Sequence, residues 1–239
     1  PVQVVCHAGG SGNEGLSSSS RSASSITCCV PTLRARSLPD LIHRRIAPWI
    51  ERNAPAGAHV TVTDVTSGTT LMTVQGPLSR ELLSRLTSAD LSNEAFPYMT
   101  AREIDLHYAR VLAMRVTYVG ELGWELHVPA EQALTVYDAL LETGADLGYR
   151  NVGMGALGSL RLEKAYRDYC LDIDNCDSPL DVGLGFAVAW DKPGGFIGRD
   201  ALLAARVPGP PKRRLVQVLL EDPEPFLHGG EPMLREGRW

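Results

Sequence analysis

Hydrophobic and polar residues alternate most regularly between Ala113 and Val128. Met114, Val116 and Tyr118 alternate with Arg115 and Thr117, and Trp124, Leu126 and Val128 alternate with Glu125 and His127. A period of two predicts a half-buried strand in each case. Gly120 and Gly123 between them supply turn conformations that other residues enter at a cost. The stretch is therefore expected to be a hairpin, with Trp124 on one face and Glu125 on the other. Tyr118 and Glu125 lie near its two ends, placed to converge on one small polar ligand.

The same pattern organises the rest of the chain. Val60, Val62 and Val65, then Leu71, Met72 and Val74, predict two strands turning at Thr66 to Thr69. Gly76-Pro77 ends the second. Leu78, Leu82, Leu83 and Leu86 share one side of a short helix over Ser79 to Leu86. Thr87 to Thr100 is loop, and Ala101 to Leu112 is strand-like. Pro129 is placed to start a helix whose apolar face runs through Leu134, Tyr137 and Leu140-Leu141. Asn151 to Arg167 predicts a second helix, in which Gly153, Gly155 and Gly158 permit close packing. Asp172 to Asp181 is a polar loop, Gly183 to Trp190 a strand, and Lys192 to Arg199 a turn before a helix near Asp200. After the linker Pro208-Gly209-Pro210-Pro211, Arg214 to Leu220 alternates as a strand, and Glu231 to Trp239 begins another and stops.

Residues 1 to 50 have a different texture. Gly9-Gly10-Ser11-Gly12 and the serines from Ser17 to Ser25 carry no period, the signature of a linker. Leu41, Ile42, Ile46 and Trp49-Ile50 predict one short amphipathic helix. Three segments follow: an atypical stretch over 1–50, a main domain over 51–207, and a linker with a truncated further domain over 208–239.

Composition narrows the classes. The net charge of -5 supplies no basic field for nucleic acid. No apolar run approaches the ~18 residues that span a bilayer. None of the five cysteines has CxxC spacing, which points to reduced thiols in a reducing compartment rather than a metal site. Asp172, Asp174 and Asn175 lack the glycine and closing glutamate of a calcium loop, and no metal is expected.

Tyr118-Val119-Gly120-Glu121-Leu122-Gly123-Trp124-Glu125 resembles the folate-binding segment Y-x-G-E-x-G-x-E of the glycine-cleavage T-protein (aminomethyltransferase) family. Gln75-Gly76-Pro77 resembles its strand-to-helix turn, and Ser159-Leu160-Arg161-Leu162-Glu163 its SLRLE helix. Ser178-Pro179-Leu180-Asp181-Val182-Gly183-Leu184 and Phe196-Ile197-Gly198-Arg199-Asp200-Ala201-Leu202 resemble two further motifs. The versions at 163–167 and 191–202 are more similar to the C-terminal half of dimethylglycine and sarcosine dehydrogenases. The resemblance covers about residues 55 to 235. It implies an α+β fold, with antiparallel sheets and packed helices forming a folate-binding domain, followed by an incomplete C-terminal β domain. It also implies tetrahydrofolate as cofactor, with Glu125 on the pterin ring, Tyr118 and Gly123 lining the same pocket, and Arg161 and Phe186 at matching positions.

The chemistry implied is capture of a one-carbon unit by tetrahydrofolate, giving 5,10-methylenetetrahydrofolate. No G-x-G-x-x-G fingerprint is present, so FAD is expected only from an upstream domain or partner subunit. The family's catalytic Asp lies in a G-G-I-x-x-D segment. Here Gly9-Gly10 is followed by Ser11 to Gly15, with Glu14 as the nearest carboxylate and Asp64 the next one in a strand. The chain alone is therefore expected to show little transfer activity. The alternative is a non-catalytic regulatory protein on the same fold, like the phosphatase-regulating relatives of these dehydrogenases. The resemblance places a bacterial protein of this kind in the cytoplasm and a eukaryotic one in the mitochondrial matrix.

Overall fold

A computed structural model describes residues 3–7, 27–29, 48–53, 65–206, 213–222, 224–225, 227 and 231–233, the first two segments by their backbone. The chain divides into two compact units, Pro1–Tyr166 and Arg167–Trp239.

The first unit is built on a mixed, largely antiparallel sheet. Its strands are β1 (Gln3–His7), β2 (Thr27–Cys29), β3 (Thr69–Gln75), β4 (Ala101–Leu106), β5 (Ala109–Met114), β6 (Gly123–Pro129) and β7 (Arg150–Asn151). The order across the sheet is β2-β1-β3-β6-β5-β4, with β7 paired to β1. β3 and β6 pair antiparallel along their whole length, from Thr69 opposite Pro129 to Gln75 opposite Gly123. Two strands thus come from the segment expected to be linker. Val4, Val5 and Thr27 are β-branched, and ladder pairing satisfies their backbone groups where no side-chain period advertised it.

One face of the sheet carries the core. Met72 and Val74 of β3, Ile104 and Leu106 of β4, Val111 and Ala113 of β5, and Trp124, Leu126 and Val128 of β6 are all buried. Two helices cover this face: α1 (Ser79–Ser84), through Leu82 and Leu83, and α2 (Ala133–Thr143), through Val136 and Leu140. The loop between α1 and β4 adds Leu91 and Phe96, whose ring meets that of Trp124 edge-on at 6.3 Å. Arg80 and Arg115 stand over the same indole at 5.9 and 5.7 Å and share Asn93 Oδ1 as acceptor.

Several expected boundaries move. The strand expected over Ala101 to Leu112 is two strands, reversed at His107, which takes a φ of 54° without any glycine to mark the turn. The expected strand from Met114 through Tyr118 stops at Met114, and residues 115–122 form an irregular loop. There the Arg115 side chain donates to the Phe96 carbonyl at 2.6 Å, while its backbone still pairs with Met99 and Thr100. Pro129 ends β6 instead of starting a helix. Its ψ of 134° is extended, and a 3-10 turn over Ala130–Gln132 leads into α2. The second helix, α3, is shorter than expected, at Met154–Glu163. Among the described residues, a Cβ on Gly153, Gly155 or Gly158 would meet nothing within 4 Å, so these glycines serve no close packing there.

The second unit is built mainly of turns. Gly183 to Trp190, expected as a strand, is a 3-10 turn at Gly185–Ala187, closed by the Trp190 indole N–H on the Gly185 carbonyl. α4 (Arg199–Ala205) begins where the sequence placed a helix. Residues 214–220 carry no assigned strand. Their alternation stays exposed at Val216, Val218 and Leu219, since no neighbouring strand is present among the described residues to pair with them. The acidic loop uses its carboxylates on its own backbone: Asp174 accepts from Cys176 N–H, and Asp177 from Asp174 N–H. Cys170 and Cys176 are free and exposed. Among the described residues no helix is long and apolar enough to cross a membrane.

Candidate functional site

The sheet's second face holds the candidate site. Strand parity puts Thr73 and Gln75 of β3 and Glu125 and His127 of β6 there, opposite the core. Toward β4 and β5 this face is charged and exposed, with Arg110 paired to Glu103 and Asp105. Toward β3 it closes: Thr73 is 7% exposed and Gln75 1%.

Glu125 stands between Thr73 on β3 and Met114 on β5. It is half-buried, and among the described residues no hydrogen bond or salt bridge reaches its carboxylate. Desolvation raises its pKa, and the nearby His127 pulls it back in part. His127 Nε2 is buried and has no hydrogen-bond partner among the described residues. Glu125 and His127 thus form a partly desolvated pair whose hydrogen-bonding capacity the described residues leave unmet.

Gly123 fixes the geometry at the head of β6. Its predecessor Leu122 offers a carbonyl to two donors, Gly76 N–H at 2.7 Å and Ser79 Oγ at 2.9 Å. The Gly76-Pro77 turn thereby clamps the hairpin tip. A Cβ on Gly123 would lie 2.2 Å from Gln75 Oε1 and 2.5 Å from the Val74 carbonyl oxygen. Only a glycine lets the Gln75 amide lie over this point. Its Nε2 donates to the Val116 carbonyl at 3.4 Å.

The other expected site residues fall into two places. Tyr118 lies in the 115–122 loop, half-buried, with its ring stacked on Tyr166 at 6.3 Å and an interplanar angle of 18°. Val119, Val152 and Leu157 form the small apolar cluster beside it. Arg161, 6% exposed in the last turn of α3, donates to the Tyr166 carbonyl at 3.0 Å and so holds the platform on which Tyr118 stacks. Phe186 is in the second unit, 86% exposed on its 3-10 turn. Glu14 and Asp64, the carboxylates considered for catalysis, lie outside the described residues. Gln75 and His127 were not singled out from the sequence. Their signal was parity: both sit on strands with apolar neighbours, on the face that carries Glu125.

Residues 39–192 match the model of the GCVT N-terminal domain, and the chain belongs to that family. It is 44% identical over 191 residues to 4-methylaminobutanoate oxidase (formaldehyde-forming) of Paenarthrobacter nicotinovorans, covering 80% of this chain and 23% of that protein. It is 43% identical over 168 residues to mitochondrial sarcosine dehydrogenase of Homo sapiens, covering 70% of this chain and 18% of that one. It is 34% identical over 196 residues to the mitochondrial pyruvate dehydrogenase phosphatase regulatory subunit of Mus musculus, covering 80% and 22%. The chain thus spans about a quarter or less of the length of these relatives.

Proposed function

We propose that the chain is a tetrahydrofolate-binding domain of one-carbon transfer, acting beside an FAD-containing domain or subunit that oxidises a methylated amine. The observation that carries the reading is the Glu125 carboxylate, desolvated and without a donor at the head of the clamped hairpin. A pterin ring presents adjacent N–H donors, which suit a bidentate, charge-assisted pair with such a group. Bound there, tetrahydrofolate would supply the amine nitrogens that take up a one-carbon unit. The chain's own part is to orient the ring with Glu125, to wall it with Tyr118 on its Tyr166 support, and to keep water from the carboxylate.

Titration calorimetry of the full chain with tetrahydrofolate tests this. Glu125→Gln loses the charge-assisted pair, and binding weakens by about 1.5–3 kcal/mol. Equal affinity in parent and variant removes Glu125 from the site. A second reading, a non-catalytic regulatory protein, is favoured by the similarity to the phosphatase regulatory subunit. It too accommodates folate binding, and it is separated from the first by a one-carbon transfer assay with tetrahydrofolate and formaldehyde.

A further inference from the structure

Gln75 is the most deeply buried polar group beside Glu125, and its chemistry is half used. Its side chain is 1% exposed. The amide orientation is set by Val116, whose carbonyl takes the Nε2 donor. Exchanging the two ends of the amide would press one acceptor against another. That leaves Oε1 buried and with no donor among the described residues. A buried acceptor without a donor costs free energy, and an apolar side chain of the same length would avoid the cost.

The fold makes room for this arrangement. Gly123, opposite Gln75 across the β3–β6 ladder, gives up the volume of a Cβ that would sit 2.2 Å from Oε1. Gln75 and Glu125 are diagonal neighbours on the same face, since Glu125 is two residues from Gly123 along β6. Two acceptor groups therefore share this face, Gln75 Oε1 buried and the Glu125 carboxylate half-buried, neither with a donor among the described residues.

We propose that Gln75 is a second ligand-binding residue of the site, whose side-chain carbonyl accepts from the 2-amino group of the pterin. This rests on the folate reading of Glu125. Glu125 takes the ring N3–H and one amino hydrogen, and Gln75 Oε1 takes the other amino hydrogen. A pterin whose amino group is replaced by methyl has nothing to offer Gln75.

The test uses the full chain and Gln75→Met, an unbranched apolar replacement of similar length. Without ligand, the variant stays folded, losing the Nε2 bond to the Val116 carbonyl while shedding the unpaired Oε1. With tetrahydrofolate, its affinity falls by about three- to tenfold, the worth of one neutral hydrogen bond. Against 2-desamino-2-methyl-tetrahydrofolate the two chains bind alike. Unchanged affinity of a folded Gln75→Met for tetrahydrofolate overturns this inference and leaves the folate reading standing. No binding by the parent overturns both. A measurement on the unmutated chain guards against a variant that fails to fold. With 13C in the glutamine side-chain carbonyls, one resonance moves downfield on saturation with tetrahydrofolate, and no movement of any glutamine carbonyl overturns the proposal.

Discussion

The two faces of strand β6 are built on opposite terms. Trp124, Leu126 and Val128 point into the helices and are wholly buried, Leu126 and Val128 in the apolar core and Trp124 against Phe96 and beneath Arg80 and Arg115. Glu125 and His127, one residue out of phase, point to a face where hydrogen-bonding groups are dry and unmatched. The first face gains stability by burying apolar area. The second gives some of that up, since a partly desolvated carboxylate and the orphaned Gln75 Oε1 and His127 Nε2 cost free energy unless a partner arrives, whereas the core side carries one such atom, Trp124 Nε1. One strand thus separates the core of the fold from the face of the candidate site.

The comparison breaks most visibly from the core side. Leu126→Ala opens a cavity between sheet and helices and should lower unfolding free energy by about 2–5 kcal/mol, read by urea denaturation. A loss below about 1 kcal/mol would mean the core is loosely packed and the contrast between the faces is false.

A smaller effect is expected where the faces meet. Gly123→Ala places a methyl against the Gln75 amide and the Val74 carbonyl, overpacking that should cost about 1–3 kcal/mol. Denaturation again reads it, and the double variant with Gln75→Ala should recover part of the loss because the colliding amide is gone. No recovery would place the strain in the backbone contact with Val74 alone.

The smallest expected effect concerns pH. Burial raises the Glu125 pKa above its unfolded value of about 4.3. The native state then holds the proton more tightly than the unfolded state. Its stabilising contribution is fully present below the unfolded pKa and is lost as pH rises through the raised folded pKa. Glu125→Gln has no such loss, so without ligand it should match the parent in acid and melt higher near neutrality. Thermal melts between pH 4 and 8 check the sign. A parent more stable than the variant at neutral pH would show that the carboxylate already has a donor.

What was legible in the sequence follows from how each feature is encoded. The β6 alternation survives because both of its faces are buried to different degrees, so a period of two appears in polarity. The place of Glu125 on the face opposite the core is legible this way, and the motif around it makes it a candidate. The reversal at His107 left no trace, because a histidine takes the left-handed conformation there, with Leu86 accepting its N–H at 2.7 Å. Tyr118 reads as part of a strand because the alternation of Met114, Val116 and Tyr118 continues past Met114, where the strand ends. Gln75 was hidden inside the Gln-Gly-Pro turn motif, where the glycine and proline drew attention to the backbone. In Arg214 to Leu220 the same alternation misled, since a strand needs a neighbour that the pattern alone does not supply.

The unmet acceptors on the second face also bear on how long the protein lasts in a cell. A molecule that supplies donors to them binds the folded chain and not the unfolded one. At a hundredfold excess over its Kd it adds about 2.7 kcal/mol to the folding free energy. Chaperones and proteases sample the unfolded fraction, so a shift of that size changes abundance several-fold. Glu125 and Gln75 would then couple the amount of protein to the supply of its ligand, with starvation for the ligand marking the chain for degradation.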